Sequence, residues 1–324
     1  MNNKGLISVI IPVYNAERFI ERAIKSAQLE EVGEIIVVDD KYPDSAINIV
    51  KKLQKWDIRI KILEHPDGKN NGASASRNLG IKHANLKYLA FLDADDYYLP
   101  NRFKKQLEFL ENNPDYDGCY GTLGYVVDNT LRAEKPINSK ITGVKKDISP
   151  EKLLFTLMSG KEGAIHVGDT ILFRRYVFKN NLFNNKFELN QDIELLYRIA
   201  YQFKLKNCPL NEIIAIRCAH SQNRVRNFAK RLYYSRLLQV EGLTWLWGKR
   251  LTPSQKKILS GAYFSSITNF YSNIAKQNNN ISLIKREYLN DILYFVKKNP
   301  QISLLNTYLK WALYYFKFLK HLEK

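Results

Sequence analysis

The chain has 324 residues, 45% of them hydrophobic, which is enough to bury a full core and excludes a disordered segment. Its net charge of +18 is uneven: from Arg224 onward 18 Lys and Arg face 4 Asp and Glu, a net of +14, which leaves +4 for the first 223 residues. Cys119, Cys208 and Cys218 are odd in number and scattered, which argues against a zinc site or a disulfide framework and fits buried thiols in a reducing compartment.

The opening "MNNKGLISVIIPVYN" carries one lysine and a short apolar run that leads directly into a helical pattern, so no cleaved signal peptide is expected. The uncharged run from Ile258 to Ala275 is diluted by Ser, Thr and Asn, so no spanning helix is expected either.

In chain order, "LISVII" reads as a buried strand, after which Asn15 is placed to cap a helix with Phe19, Ile20, Ala23, Ile24 and Ala27 on one stripe. "EIIVVDD" and "RIKIL" are the next strands, with "DSAINIVKKLQKW" as the helix between them. The Gly- and Asn-rich "HPDGKNNGASASRNLGIKHA" turns into a helix in its second half, and "KYLAFL" follows as a strand. Strands apolar on both faces and separated by helices predict a doubly wound, mostly parallel α/β sheet. In such sheets ligands bind beyond the carboxyl ends of the strands, which here carry Pro12 to Asn15, Asp39 and Asp40, and Asp93 to Asp96.

A further strand is expected between Tyr116 and Val127, and a polar loop from Arg132 to Ser149. "GDTILFRRYVF" and "ELNQDIELLYRIAYQF" come next, the second with Ile193, Leu196, Ile199 and Ala200 on a helical stripe. After His220 the chain turns to basic, aromatic helices, which sets the expected boundary: a catalytic domain over 1–223 and a helical region over 224–324.

Crowded carboxylates repel one another, so Asp93, Asp95 and Asp96 behind a buried strand imply a cationic partner. Asp93 and Asp95 can offer oxygens to one Mg²⁺ or Mn²⁺ ion, which typically completes its shell with substrate phosphates and so points to a nucleotide. The competing reading is a polar loop whose aspartates cap the next helix. Asp39 and Asp40 are placed to accept a base N–H or a ribose hydroxyl. Arg77 opens a helix after a glycine-bearing loop, where it could face phosphate oxygens or serve as a surface ion-pair partner.

"ISVIIPVYNAERFIERAIKSA", "EIIVVDD", "NNGASASRNLGI" and "YLAFLDADDYYLP", in this order and spacing, resemble the inverting family 2 nucleotide-sugar glycosyltransferases of the GT-A fold. The likeness continues weakly through "ILFRRYVF" and "NQDIELLYRIA" to "AIRCAHSQNRV". It implies a nucleobase pocket lined by Pro12, Tyr14 and Asn15 and a base-binding Asp39 with Asp40 beside it. It further implies donor contacts from Arg77, Asp93 and Ala94, and Mn²⁺ or Mg²⁺ on Asp93 and Asp95. His220 falls where relatives carry a loop histidine that binds metal or phosphate; a structural histidine is the alternative.

The family's catalytic carboxylate, from a Glu-Asp pair opening a helix, corresponds to Asp192, with Gln191 in place of the glutamate. An ordinary helix-opening aspartate is the rival reading. A second departure is "DDKYPDS", where the family commonly has Gly-Ser after its paired aspartates. The resemblance implies a UDP-sugar donor, with GDP or dTDP as alternatives, and a glycan or lipid-linked acceptor in surface polysaccharide synthesis. The implied location is cytoplasmic.

"YLKWALYYFKFLKHLEK" sets Lys310, Lys317 and Lys324 near one helical face with Lys320 adjacent, which suits a peripheral place on the inner face of the membrane. Packing on a second subunit, as a homodimer, or on the catalytic domain is the alternative. Nucleic-acid binding is not expected: a pI near 9.6 favours it, but the charge lies away from the α/β domain and no recognition motif is present. A phosphatase of the haloacid-dehalogenase type ranks low because Tyr97 stands two beyond Asp95. An inactive, binding-only transferase is the remaining rival.

Overall fold

The structure is a computed structural model, and it describes residues 4–127, 143–144, 146–159, 163–220, 228–242, 245–246, 248–275 and 281–298. Contacts divide the chain into two compact units, Met1–Asn223 and Arg224–Lys324.

The first unit is built on strands β1 (Ile7–Val13), β2 (Val32–Asp39), β3 (Ile60–Glu64) and β4 (Tyr88–Phe91), which pair in parallel in the order β3-β2-β1-β4. The β-branched and aromatic residues of β1, β2 and β4 are buried on both faces, as the uninterrupted apolar runs require, while edge strand β3 buries only Ile60 fully. Helices α1 (Ile20–Ala27) and α2 (Ala46–Gln54) pack on the face that carries Ile7, Val9, Ile11, Ile35 and Val37. Helix α3 (Gly72–His83) covers the opposite face so closely that a Cβ on Gly80 would lie 2.5 Å from Cγ2 of Ile10. Alternation along β1 assigns Val9 and Ile11 to one layer and Ile10 to the other.

Beyond β4 the sheet changes character. Strand β8 (Ile171–Arg174) pairs antiparallel with both β4 and β6 (Gly118–Tyr120), and β9 (Leu205–Asn207) closes the edge parallel to β6. A second, three-stranded sheet has the order β5-β10-β7, formed by β5 (Tyr97–Tyr98), β10 (Ile213–Ala219) and β7 (Thr122–Val127). The mostly parallel α/β architecture expected from the sequence is therefore present, with an antiparallel insertion.

Three local expectations are corrected. Asn15 does not cap α1: it takes a left-handed φ of 51°, and the helix begins at Ile20 after Phe19. The run from Tyr116 to Val127 is two strands, not one, because Gly121 separates β6 from β7 and sends them to different sheets. Cys208 is only half-buried, whereas Cys119 and Cys218 are buried. The expected loop over 132–149 lies largely outside the described residues; helix α4 (Lys104–Asn112) precedes it, and α5 (Pro150–Ser159) and α6 (Val167–Thr170) follow it.

The second unit contains α8 (Phe228–Leu237), α9 (Pro253–Ala275) and α10 (Ile281–Lys298). Tyr263, Phe264, Ile267 and Tyr271 of α9 are buried with Tyr288 and Ile292 of α10, so the uncharged run is a packed core helix. Asp291 accepts two bonds from Arg236, at 2.7 and 2.6 Å, and one from the Tyr271 hydroxyl at 2.8 Å. Among the described residues no helix is long and apolar enough to cross a membrane. Lys310, Lys317, Lys320 and Lys324 lie outside the described residues.

Candidate active site

Parallel pairing of β1 with β2 sets Val13 beside Asp39, so Tyr14 and Asn15 leave the sheet next to Asp39 and Asp40. β4 flanks β1 on the other side and delivers Asp93 to Asp96 to the same edge. One ligand oxygen from each of Asp93, Asp95 and Asp96 lies within 4.8 Å of the others. Asp93 and Asp95 are about one-third exposed, at 35% and 31% of their side chains, while Asp96 is buried.

Asp96 accepts the Cys218 backbone N–H at 2.7 Å. Its burial, followed by the charges of Asp169, Asp95 and Asp93, holds its pKa well above the usual carboxylate range. Asp169 is also buried; desolvation, then the nearby Asp93 charge, pushes it up to about 7. It accepts the backbone N–H of Asp93 at 3.2 Å and so fixes the acidic turn from below. Like-charged groups packed this way suit a divalent cation, and the oxygen-rich set matches Mg²⁺ or Mn²⁺ chemistry. His220 adjoins the turn: its Nε2 is 2.9 Å from Oδ2 of Asp95, and its ring stacks on Phe19 at 4.6 Å. Gly168 leaves the other side open, since a Cβ there would lie 3.2 Å from Oδ2 of Asp93.

Arg77 lies within α3, buried, and pairs with Asp93 rather than standing open to solvent. Its guanidinium sits 5.3 Å over the Phe183 ring. With the amide of Gln191 turned to satisfy both neighbours, its oxygen accepts from Nη1 of Arg77 at 3.3 Å and its nitrogen donates to the Glu188 carbonyl at 3.2 Å. This explains how the site tolerates an amide where the family resemblance calls for a glutamate: Asp93 already supplies the negative partner of Arg77.

Asp192 stands in the first turn of α7 (Gln191–Gln202), after Asn190 in a left-handed conformation with φ 63°. Among the described residues no hydrogen bond or ion pair claims its carboxylate, which is partly exposed. Its charge is nevertheless felt by Arg77, Arg217 and His166.

Asp39 and Asp40 differ in what they do. Oδ1 of Asp40 accepts the backbone N–H groups of Asn71 (2.8 Å) and Gly72 (3.1 Å), so it secures the entry into α3. Asp39 accepts the Lys41 N–H at 2.9 Å and meets the Lys41 ammonium at 3.0 Å. Tyr14 is 49% exposed beside them, while Pro12 is part of β1 and Ala94 is buried under the acidic turn.

Sequence reasoning missed Asp169, His166 and Arg217. Burial draws the Arg217 pKa down, but the charges of Asp96, Asp169, Asp93 and Asp192 outweigh it and leave the pKa raised. Its Nη1 lies 3.5 Å from Nδ1 of His166, whose own pKa burial and the Arg217 charge depress, so His166 is neutral near pH 7. The missing signal was strand direction. Because β8 is antiparallel to β4, the start of β8, not its end, meets the acidic turn.

The profile of glycosyl transferase family 2 matches residues 8–182, more than half of the chain. The protein belongs to glycosyltransferase family 2. Among relatives, it is 30% identical over 189 residues to the Campylobacter jejuni GalNAc(5)-diNAcBac-PP-undecaprenol beta-1,3-glucosyltransferase, a match covering 57% of each protein. The chain thus spans less than two thirds of that relative. The crystal structure of S. aureus TarS residues 1–349 with UDP-GlcNAc superposes with a TM-score of 0.65 at 19% identity, covering 91% of this chain and 81% of that one. The mannosyltransferase PcManGT from Pyrobaculum calidifontis, solved with GDP-Man and Mn²⁺, gives 0.56 at 15% identity, covering 98% and 84%. At these identities the two structures establish a shared fold, and the family assignment makes the protein a glycosyltransferase.

Proposed function

We propose that this family 2 enzyme transfers a sugar, with inversion, from a nucleoside-diphosphate sugar to a hydroxyl of a glycan or lipid-linked acceptor in surface polysaccharide assembly. Asp93, Asp95 and His220 would hold a Mn²⁺ or Mg²⁺ ion, which when bound neutralises charge on the diphosphate leaving group. Burial first, and then the neighbouring carboxylates, raise the Asp96 and Asp169 pKa values, and the like charge gathered there fits such a partner.

The chain's own groups perform the remaining work. Arg77 orients Asp93 through their ion pair. Arg217 is the more exposed guanidinium and stands ready to meet phosphate oxygens. Asp192 takes the proton from the attacking acceptor hydroxyl at the opposite face of the sugar, so a single displacement inverts the anomeric centre. No covalent sugar intermediate is required.

The carrying observation is the gathering of three carboxylates and His220 at the carboxyl edge of a parallel sheet. Nucleotide-sugar complexes of the two fold relatives support the donor class, and the C. jejuni relative supports a lipid-linked acceptor. The basic region from Arg224 supports a peripheral position on anionic membrane, where such an acceptor resides.

The test is release of nucleoside diphosphate from a panel of UDP-, GDP- and dTDP-sugars with Mn²⁺ or with EDTA. Release is expected from one donor class with Mn²⁺ and is lost in EDTA. Absence of release and of binding for every donor contradicts the reading.

A further inference from the structure

We propose that the turn between α2 and β3 is a membrane-docking tip, in which Trp56 and Ile58 enter the interface of an anionic bilayer and Lys51, Lys52 and Lys55 meet its headgroups. The contact is separate from the basic region that begins at Arg224, and it does not depend on the donor site.

Helix α2 closes at Gln54, and the backbone N–H groups of Trp56 and Asp57 both donate to the Leu53 carbonyl, at 3.0 and 3.1 Å. Asp57 then turns inward. Its carboxylate accepts the backbone N–H and the Nε of Arg59, at 3.0 and 2.9 Å, and Nε2 of Gln28 at 2.8 Å. Nη1 of Arg59 donates onward to the carbonyls of Leu29 and Val32, at 3.0 and 2.9 Å, which ties the turn to the start of β2. With Asp57 held inward between them, its two neighbours point out: Trp56 is 90% and Ile58 93% exposed. A single exposed apolar side chain needs no explanation, but two large ones on one firmly bonded turn forgo burial with nothing gained in folding.

The charge around the tip identifies its occupant. Lys51, Lys52 and Lys55 are exposed, and among the described residues no ion pair holds them. Of the acids nearby, Asp57 is neutralised by Arg59 and Glu30 by Lys4, which leaves Glu31 against three lysines. An aromatic ring and a branched alkyl group among lysines match a bilayer surface, where tryptophan settles at headgroup level and lysines are drawn to anionic lipid. A protein partner would call for a broader apolar face than one turn. Lys51 and Lys52 also complement the dipole of α2, a role that leaves the exposure of Trp56 and Ile58 unexplained.

The tip precedes β3, at the amino ends of the parallel strands, whereas the acidic turn follows β4 at their carboxyl ends. The five residues of β3 span about 17 Å, so a docked tip holds the acidic turn roughly one strand length above the headgroups. On the function proposed above, that height suits the outer end of an extended lipid-linked glycan.

Flotation of the full chain with vesicles of phosphatidylcholine, alone or mixed with phosphatidylglycerol, tests the tip. Wild type is expected to bind the anionic vesicles and to lose binding as salt is raised. The double variant Trp56→Ser/Ile58→Ser is expected to bind roughly tenfold or more weakly, as loss of two buried apolar side chains implies. Its melting temperature holds, because neither side chain is packed. Lys51→Gln, Lys52→Gln and Lys55→Gln are each expected to cost roughly fivefold. Quenching of tryptophan fluorescence by brominated lipid is expected to fall in Trp56→Phe, which keeps an apolar anchor and removes the reporter. Equal vesicle binding by wild type and the double variant, or equal quenching in wild type and Trp56→Phe, overturns the tip and leaves the region from Arg224 as the membrane contact. Absence of binding by wild type to every vesicle overturns the tip and the peripheral position together. Light scattering without lipid covers a second copy as occupant: a dimer that the double variant dissociates assigns the tip to a contact between copies and overturns membrane docking. Donor binding is expected to be unchanged in all tip variants, so none of these results bears on the donor site.

Discussion

Asp192→Asn is expected to abolish sugar transfer while leaving donor binding unchanged. The substitution keeps the size of the side chain and its place in the first turn of α7, and it removes only the proton acceptor. General base catalysis is worth roughly a hundred- to ten-thousand-fold, so transfer falls by that order. The carboxylate suits this role because no described side chain engages it, whereas every other acid of the site is bonded or buried. Its position at a helix N-terminus and its coupling to the Arg77 and Arg217 guanidinium groups place positive potential beside it. Single-turnover transfer with donor affinity measured in parallel checks this. Full transfer by the variant would remove Asp192 from the chemistry.

The second large effect is expected at Asp95. Asp95→Ala should cut metal-dependent donor affinity by more than the roughly 10- to 100-fold that loss of a merely supporting contact costs. Without metal the same variant should melt no lower than wild type, because it removes one of the charges that raise Asp96. Both outcomes follow from one physical point: the acidic turn gathers like charge, which a bound cation would offset. Thermal shift with donor, with and without Mn²⁺, reads both at once. An unchanged Mn²⁺-dependent shift in the variant would exclude Asp95 as a ligand.

Much of the fold was legible because parallel strands announce themselves. The runs at "LISVII", "EIIVVDD" and "KYLAFL" are apolar on both faces, and only a sheet covered on both sides buries them so. Carboxylates immediately behind them mark the ligand edge. The antiparallel part was harder to read. "ILF" is too short to reveal its direction, yet direction decides whether Asp169 or Arg175 meets Asp93. Arg217 was hidden for a similar reason, since it lies within β10 and not at a strand end.

The details of single side chains were also out of reach. Arg77, expected to face phosphate oxygens or to serve as a surface ion-pair partner, is buried and paired with Asp93. The sequence offers no sign of that pairing, because the two residues are 16 apart and join only through packing of α3 on the sheet. Asp40 and Asp39, adjacent in sequence, divide their contacts between the entry into α3 and Lys41. Alternation at the end of a strand points neighbouring side chains in opposite directions, which is why one faces Asn71 and the other Lys41.

The most direct test of the account is a crystal soaked with the donor and Mn²⁺, with the metal located by its anomalous signal. One ion is expected between Asp93, Asp95 and His220, with the donor diphosphate on it and the sugar facing Asp192. An acidic turn without metal while the diphosphate lies elsewhere would contradict it.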